Sequence, residues 1–171
     1  MSHSNTCPKF GVRFSFNMGS DVGTYRYAEV TVQWCHALYE PGFWQFKASG
    51  LIRFKPSGEL SSLDRFYLGG QDTVRGYSLG SASGDQGVLA QLEMRRSLRY
   101  AGLVSGEAYA FLDWGTAQDP AKSASDRLRS AGLGAQLKVN DTLGVDVMAS
   151  RQLAPHLTSP TRVMVRLVLS H

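Results

Sequence analysis

Phe66-Tyr67-Leu68-Gly69-Gly70-Gln71-Asp72-Thr73-Val74-Arg75-Gly76-Tyr77 lies in a gap of roughly 30 residues between two runs of alternating residues, far longer than the 2–5 of a hairpin loop. The gap runs from about Pro56 to Gln86. A loop that long in a compact protein is either disordered or functional. Disorder does not suit it, because Phe66, Tyr67, Leu68, Val74 and Tyr77 are the aromatic and apolar residues that disordered segments lack. Gly69, Gly70 and Gly76 allow positive φ and a close approach of backbone to a neighbour. Arg75 carries a planar fork suited to bidentate pairing with a carboxylate. Loop 56–86 therefore reads as an ordered plug that folds back and docks its Arg on another part of the chain.

On both sides of the loop the chain keeps period two, with no convincing run of period 3.6. Before it come Phe10, Val12, Phe14 and Phe16, then Ala28, Val30, Val32 and Trp34, then Trp44, Phe46, Ala48, Ile52 and Phe54. After it, Val88, Ala90, Leu92, Met94 and Leu98 alternate with Gln91, Glu93, Arg95 and Ser97. Four more runs follow, carried by Ala108 to Trp114, Ala131 to Val139, Leu143 to Ala149, and Val163 to Leu169. These make eight strands of about 9–12 residues, near the 9–11 that a tilted membrane strand needs. A soluble sandwich, with its apolar face as core, fits the alternation equally well.

Three features favour a transmembrane antiparallel β-barrel. The strands are long against the five or six residues usual in soluble sheets. Trp34, Phe43, Trp44, Tyr100 and Trp114 gather near strand ends, as an aromatic girdle does. Short connections expected at 39–42, 99–102 and 140–141 alternate with long ones at 19–24, the plug loop, 116–125 and 152–160, as outer-membrane barrels require.

Composition excludes several classes. The 171 residues carry a net charge of +4, with basic residues scattered and no nucleic-acid motif, so no nucleic-acid partner is expected. No apolar run is long enough for a membrane helix, which leaves β spans open. The first eight residues lack the basic and apolar regions of a secretory signal, so the chain reads as cytoplasmic or as a piece of a longer protein. Cys7 and Cys35 could pair in an oxidising compartment, but two far-apart cysteines define no framework, and two unpaired thiols is the favoured reading. His3, His36, His156 and His171 are isolated, without metal spacing. Gly76-Tyr77-Ser78-Leu79-Gly80 matches the nucleophile elbow of hydrolases, but no helix-forming stretch follows Ser78. Gly69-Gly70 likewise precedes no phosphate-binding helix. No catalytic residue, metal or cofactor is expected, and the chain does not read as an enzyme.

Phe111-Leu112-Asp113-Trp114-Gly115 lies two strands beyond the loop. Alternation turns Phe111, Asp113 and Gly115 inward and Leu112 and Trp114 outward. Asp113 is then an inward carboxylate that a loop folding in from the same side reaches with Arg75. Gly115 leaves room for the incoming backbone and Phe111 offers a surface to pack on. Spacing alone equally allows Asp113 to be solvated in a water-filled lumen. Glu93 and Glu107 are further inward carboxylates, suited to Arg95 or to loop cations.

Residues 66–77 resemble the lumen-plugging sixth-loop signature of two-partner secretion transporters, the haemolysin secretion/activation family. Phe111-x-Asp-x-Gly115 is similar to the partner motif of that family. The resemblance implies that Arg75 of Val74-Arg75-Gly76-Tyr77 pairs with Asp113, with Gly69, Gly70, Phe111 and Gly115 as supporting motif residues. It implies a C-terminal barrel domain over 9–171, strands nine to sixteen of sixteen, after a disordered start at 1–8. A signal peptide, a plug helix, two periplasmic polypeptide-transport-associated domains and the N-terminal half of the barrel are then missing. The implied location is the bacterial outer membrane. The implied partners are a secreted haemolysin- or adhesin-like protein, outer-membrane lipid, the barrel assembly machinery and the missing N-terminal half. His171 stands where such barrels end in an aromatic. Two other readings are a complete small eight-stranded barrel with a structural or adhesion role, and a soluble β-sandwich binding module.

Overall fold

Alternation of aromatic and β-branched residues with polar ones gives a structure of strands joined by turns. The computed structural model describes residues 10–19, 25–39, 44–57, 60, 62–100, 104–119, 125–138, 143–153 and 160–169. Its strands are β1 (Phe10–Gly19), β2 (Tyr25–Tyr39), β3 (Trp44–Ser57), β4 (Phe66–Leu68), β5 (Ala82–Gly84), β6 (Gln86–Tyr100), β7 (Val104–Gln118), β8 (Asp126–Lys138), β9 (Leu143–Gln152) and β10 (Thr161–Leu169). Eight of them form one sheet in the order β1-β2-β3-β6-β7-β8-β9-β10. Every neighbouring pair is antiparallel. The plug loop therefore joins two strands that are direct neighbours, with Trp44 opposite Arg96 and Arg53 opposite Gly87.

Several strands exceed the expected 9–12 residues: β2, β6 and β7 have 15, β3 has 14 and β8 has 13. Residues 116–118, read as polar loop, are the end of β7, and Thr116 and Ala117 pair with Arg127 and Asp126. Backbone pairing carries on past the apolar band because the ladder does not depend on side-chain polarity. At about 3.3 Å per residue and a tilt of about 40°, 15 residues rise roughly 38 Å, more than the ~30 Å hydrocarbon core. The wall stands above the membrane at its rim. Tyr39, Arg99 and Tyr100, read as turn residues, likewise belong to strands. The turn at 140–141, together with Cys7, Phe43, His3, His156, His171 and the start at 1–8, lies outside the described residues.

Which face is buried separates the sandwich from the barrel. The apolar positions are the exposed ones: Phe10, Phe14 and Phe16 on β1, Ile52 and Phe54 on β3, Leu112 on β7, Leu133 on β8, and Val163, Val165 and Leu167 on β10. The covered face instead carries Asp113, Ser130, Asp146 and Ser150, with Arg75 and Asp85 of the loop upon it. A soluble sandwich does the reverse, and an exposed apolar surface of this extent suits lipid. The sandwich reading is corrected on this ground. Among the described residues β1 and β10 are the two edges of the sheet and do not pair with each other, so the eight strands do not close into a small barrel. The fold is an open stretch of transmembrane barrel wall.

Two further details bear on the site. The pairing of β2 with β3 shifts between Arg26 and Ala28, a bulge at the rim just before the loop leaves β3. Cys35 is disulfide-bonded, which corrects the expectation of two unpaired thiols. Phe10 pairs with Trp34, so β1 brings the N-terminal end of the sheet beside Cys35.

Free edges have a measurable consequence. Each leaves a row of unpaired N–H and C=O groups that hydrocarbon cannot satisfy. The chain refolded alone is expected to give no discrete single-channel steps as a monomer in planar bilayers. Stepwise conductance from monomeric material contradicts the open sheet.

Candidate functional site

The loop builds its own small framework before it meets the wall. β4 and β5 pair antiparallel, Phe66 with Gly84 and Leu68 with Ala82, and form a miniature sheet that alternation alone did not reveal. Between them the chain tightens into a knot. Gly69 and Gly70 have φ of 99° and 97°, a region closed to most side chains. The Gly70 N–H donates to the Tyr77 carbonyl at 2.9 Å, and the Tyr77 N–H to the Val74 carbonyl at 3.1 Å. Val74 to Tyr77 is thus one turn with Arg75 and Gly76 at its centre. Thr73 Oγ1 closes the other side on the Gly69 carbonyl at 2.9 Å.

The apolar side of this framework is pressed onto the inward face of the sheet. Phe66, Leu68, Val74 and Ala82 of the loop pack with Leu89, Ala117 and Leu128 of the wall, and Leu51 and Tyr77 flank them. Leu68 and Val74 are wholly buried, each contributing about 1.5–3 kcal/mol to docking. Gly115 makes room for them, since a Cβ there would lie 2.9 Å from Leu68 Cδ2 and 3.2 Å from Val74 Cγ2. The space expected to receive loop backbone is filled by these side chains. Close approach to the wall falls to Gly76, where a Cβ would lie 2.7 Å from the Cβ of Ser130, and to Gly84, where it would collide with the Gln118 carbonyl oxygen.

Arg75 sits at the inner end and is held on every side. Its Nε and Nη2 donate to Asp113 Oδ2 and Oδ1 at 2.9 and 2.7 Å, a bidentate pair, and its backbone N–H adds a third bond to Oδ2 at 3.0 Å. Nη1 donates to Glu93 Oε2 at 2.6 Å. Arg75 Cζ lies 3.6 Å from the centroid of the Phe111 ring, a contact worth about 2 kcal/mol when desolvated. Asp113 is 3 % exposed, and Ser130 Oγ gives it a longer bond of 3.4 Å. The loop backbone is fastened too: Ser150 Oγ donates to the Arg75 carbonyl at 3.1 Å and Gln152 Nε2 to the Gly76 carbonyl at 3.0 Å. Gln91 Nε2 reaches the Thr73 carbonyl at 2.7 Å.

Behind Phe111 the wall is shaped to hold the ring. Gly132 lies directly opposite Phe111, and Gly134 opposite Tyr109. A Cβ at Gly132 would collide with the Phe111 ring and one at Gly134 with the Tyr109 ring. Each aromatic therefore lies over a cross-strand glycine, and Met148 packs beside them. These slots were missed in the sequence, although two inward glycines facing two inward aromatics on consecutive strands is a signal once the register is known.

Ion pairs continue from the site in two directions. Arg95 donates from Nε to Glu93 and from Nη1 to Glu107 at 2.8 Å. Asp146 accepts from Tyr109 Oη at 2.8 Å and from Arg166 Nη2 at 2.9 Å. Gln71, with its amide oxygen turned to the guanidinium, accepts from Arg166 Nη1 at 3.1 Å. At the rim a separate cluster grips the base of the loop. Lys55 pairs with Asp85, Arg65 with Asp119 at 2.7 Å, and Arg53 Nη1 donates to the Asp64 carbonyl at 2.7 Å. The hydrogen bond to Asp119 is the main reason the Arg65 pKa is raised, with burial working against it.

Ser78 is exposed, its Oγ accepts from Arg162 Nη1 at 3.3 Å, and its carbonyl accepts from Ser81. A bend and a strand follow it rather than a helix. Among the described residues no group of three or more His, Cys, Asp or Glu is placed to hold a metal ion. The arrangement is one of docking.

A lipid-facing barrel wall with its own loop pinned on the inward face defines a class of membrane β-proteins. The particular family follows from comparison: the haemolysin secretion/activation protein ShlB/FhaC/HecB family matches residues 6–138, and the chain belongs to it. Its description is one of secretion and activation, not of catalysis. Among curated proteins none matches the chain.

Two outcomes are expected for the docked loop. Gly132→Val pushes the Phe111 ring off its slot and loosens Arg75, so the loop becomes cleavable by added trypsin in the folded protein. Gly50→Val, on β3 where a Cβ would meet nothing nearer than the Leu89 carbonyl oxygen at 3.8 Å, is the control and leaves the loop protected. Arg75→Lys keeps the charge but loses the bidentate fork and the stacking. It should release the loop nearly as fully as Arg75→Ala, and protection equal to that of the parent chain would show that charge alone suffices.

Proposed function

We propose that this chain is the C-terminal half of a sixteen-stranded outer-membrane transporter of the two-partner secretion kind. Its passenger is an unfolded haemolysin- or adhesin-like protein, moved across the bacterial outer membrane. Residues 9–171 form the second half of the barrel, and an N-terminal half with periplasmic domains completes it. Arg75 and Asp113 fasten loop 56–86 inside the lumen, Gly69, Gly70, Val74, Gly76 and Tyr77 give the loop its shape, and Phe111 and Gly115 form its seat. Outer-membrane lipid covers the apolar face, and the barrel assembly machinery inserts it. Transport uses no nucleotide and no covalent step, and the passenger engages exposed strand edges by pairing.

The observation that carries this reading is the docking of Arg75 on Asp113 from a loop folded onto the polar face of a lipid-facing sheet. Breaking one side of a buried pair costs about 3–5 kcal/mol, because the other charge is left alone. Glu93 shares the guanidinium and retains part of the attraction when Asp113 is removed. In a full-length transporter, Arg75→Ala is therefore expected to impair secretion most, with Asp113→Ala close behind and Glu93→Gln milder. Adding Asp113→Ala to Arg75→Ala should cost little more, since both remove one contact. Secretion of the partner into the medium and protease access to the loop measure this. Simple summation of the single effects would assign Arg75 another role. Ser78→Ala should leave secretion intact, and its loss from a correctly assembled barrel would revive hydrolase chemistry.

A further inference from the structure

Beside the docked loop the inward face holds an open cavity of about 560 Å³, bounded by the loop at Gln71, Asp72 and Arg75. Gln33 of β2, Gln45 and Lys47 of β3, Glu93 and Arg95 of β6, Glu107 of β7 and Gln136 of β8 are part of its wall. We propose that Lys47, with Arg95 beside it, is a contact site for acidic side chains of an extended polypeptide lying in this cavity. The inference rests on the transport reading and adds to it the chemistry by which the passenger is recognised.

The argument starts from register. Lys47 lies directly opposite Glu93, the neighbour with which a cross-strand ion pair would form. Glu93 is not available to it, because Oε2 is taken by Arg75 and Oε1 by Arg95. Glu107, the next carboxylate, is held by Arg95. Docking the loop therefore consumes the natural partner of Lys47, which makes no ion pair with any described residue. Its ammonium is half-buried in the cavity wall, within reach of the fields of Glu93, Glu107 and Arg95 but in direct ion pair with no described residue. A half-buried charge gains from a direct partner. A carboxylate is the group that satisfies it.

The rest of the wall narrows the ligand to a peptide. The side chains of Gln33, Gln45 and Gln136 make no hydrogen bond to the described residues, so each offers both donors and an acceptor to the cavity. That is the complement of backbone amides along an extended chain, without preference for its apolar side chains. Selectivity is left to Lys47, which among the described cations lining this cavity is the one outside an ion pair.

The test uses the 171-residue chain in detergent micelles and two fluorescein-labelled 12-residue peptides of Ser and Asn, one with three Glu and one with three Gln. Fluorescence anisotropy at low salt is expected to show the Glu peptide binding about fivefold more tightly, the factor one weakly screened ion pair supplies. Lys47→Gln should abolish that preference while leaving the Gln peptide unchanged, and Lys47→Arg should keep it. Pairing of peptides with the free sheet edges is insensitive to Lys47 and adds equally to both. Equal binding of the two peptides by the parent chain overturns the proposal and leaves the transport reading standing. A Glu preference that survives Lys47→Gln also overturns it. Competition by free N-acetylglutamate at the concentration of the peptide overturns the claim that the occupant is a polypeptide. Binding of neither peptide overturns the site and counts against passenger contact with this wall altogether.

Discussion

One guanidinium bears the arrangement of the inward face. Arg75 is clamped by both oxygens of Asp113, reached by Glu93 and laid flat on Phe111. Each of those partners stands on the wall, and each is itself positioned. Asp113 also binds the backbone N–H of Arg75, so it fixes the turn as well as the side chain. Phe111 lies over Gly132, so the height of the stacking surface is set by a missing side chain on the next strand. The contact is strong because Asp113 is shielded from water, and it is costly to half-remove for the same reason.

The sheet around this contact is turned inside out relative to a soluble protein. Phe14, Ile52, Phe54, Leu112, Leu133 and Val165 look outward, and Asp113, Asp146, Glu93 and Arg95 look in. Such a wall has only a small apolar cluster of its own among the described residues, at Tyr109, Phe111 and Met148. The loop supplies a larger one, bringing Phe66, Leu68, Val74 and Ala82 to an inward face that contributes Leu89, Ala117 and Leu128, with Leu51 at the side. The plug is in this sense the core of the described structure, and loss of its docking strips the wall of its best-packed region.

Much of this was legible in the sequence, and what was not has a common cause. Period two marked the eight long strands, and the length and aromatic content of 56–86 marked an ordered loop. Arg75 and Asp113 stood out because a forked cation in a glycine-rich turn and an inward carboxylate are each unusual. Strand ends were read short at 116–118 because polar residues there resemble loop, while the ladder keeps pairing past them. The glycine slots under Phe111 and Tyr109 were hidden because they depend on the register of β7 against β8, and a shift of one residue would move every one of these side chains to the other face. Glu93 was legible as an inward carboxylate suited to Arg95 or to a loop cation, and it serves both, with Arg75 on one oxygen and Arg95 on the other. The disulfide at Cys35 depends on which strands are neighbours, which spacing along the chain does not carry.

The rim cluster changes what the loop can do mechanically. Lys55–Asp85 and Arg65–Asp119 fasten its base, and Arg75 fastens its far end. A flap swings on one fixed point, whereas this segment behaves as a beam clamped at two. Rotation about either clamp stretches the other, so a push applied between them bends the β4–β5 span instead of swinging it. The stiffness felt by anything pressing on the loop then depends on where it presses: greatest near either clamp, least midway. Of the base pairs, Arg65–Asp119 has the more open side, with Arg65 31 % exposed, so salt screens it more than the buried Lys55–Asp85 and Arg75–Asp113 pairs. Ionic strength therefore softens the base clamp before the inner one.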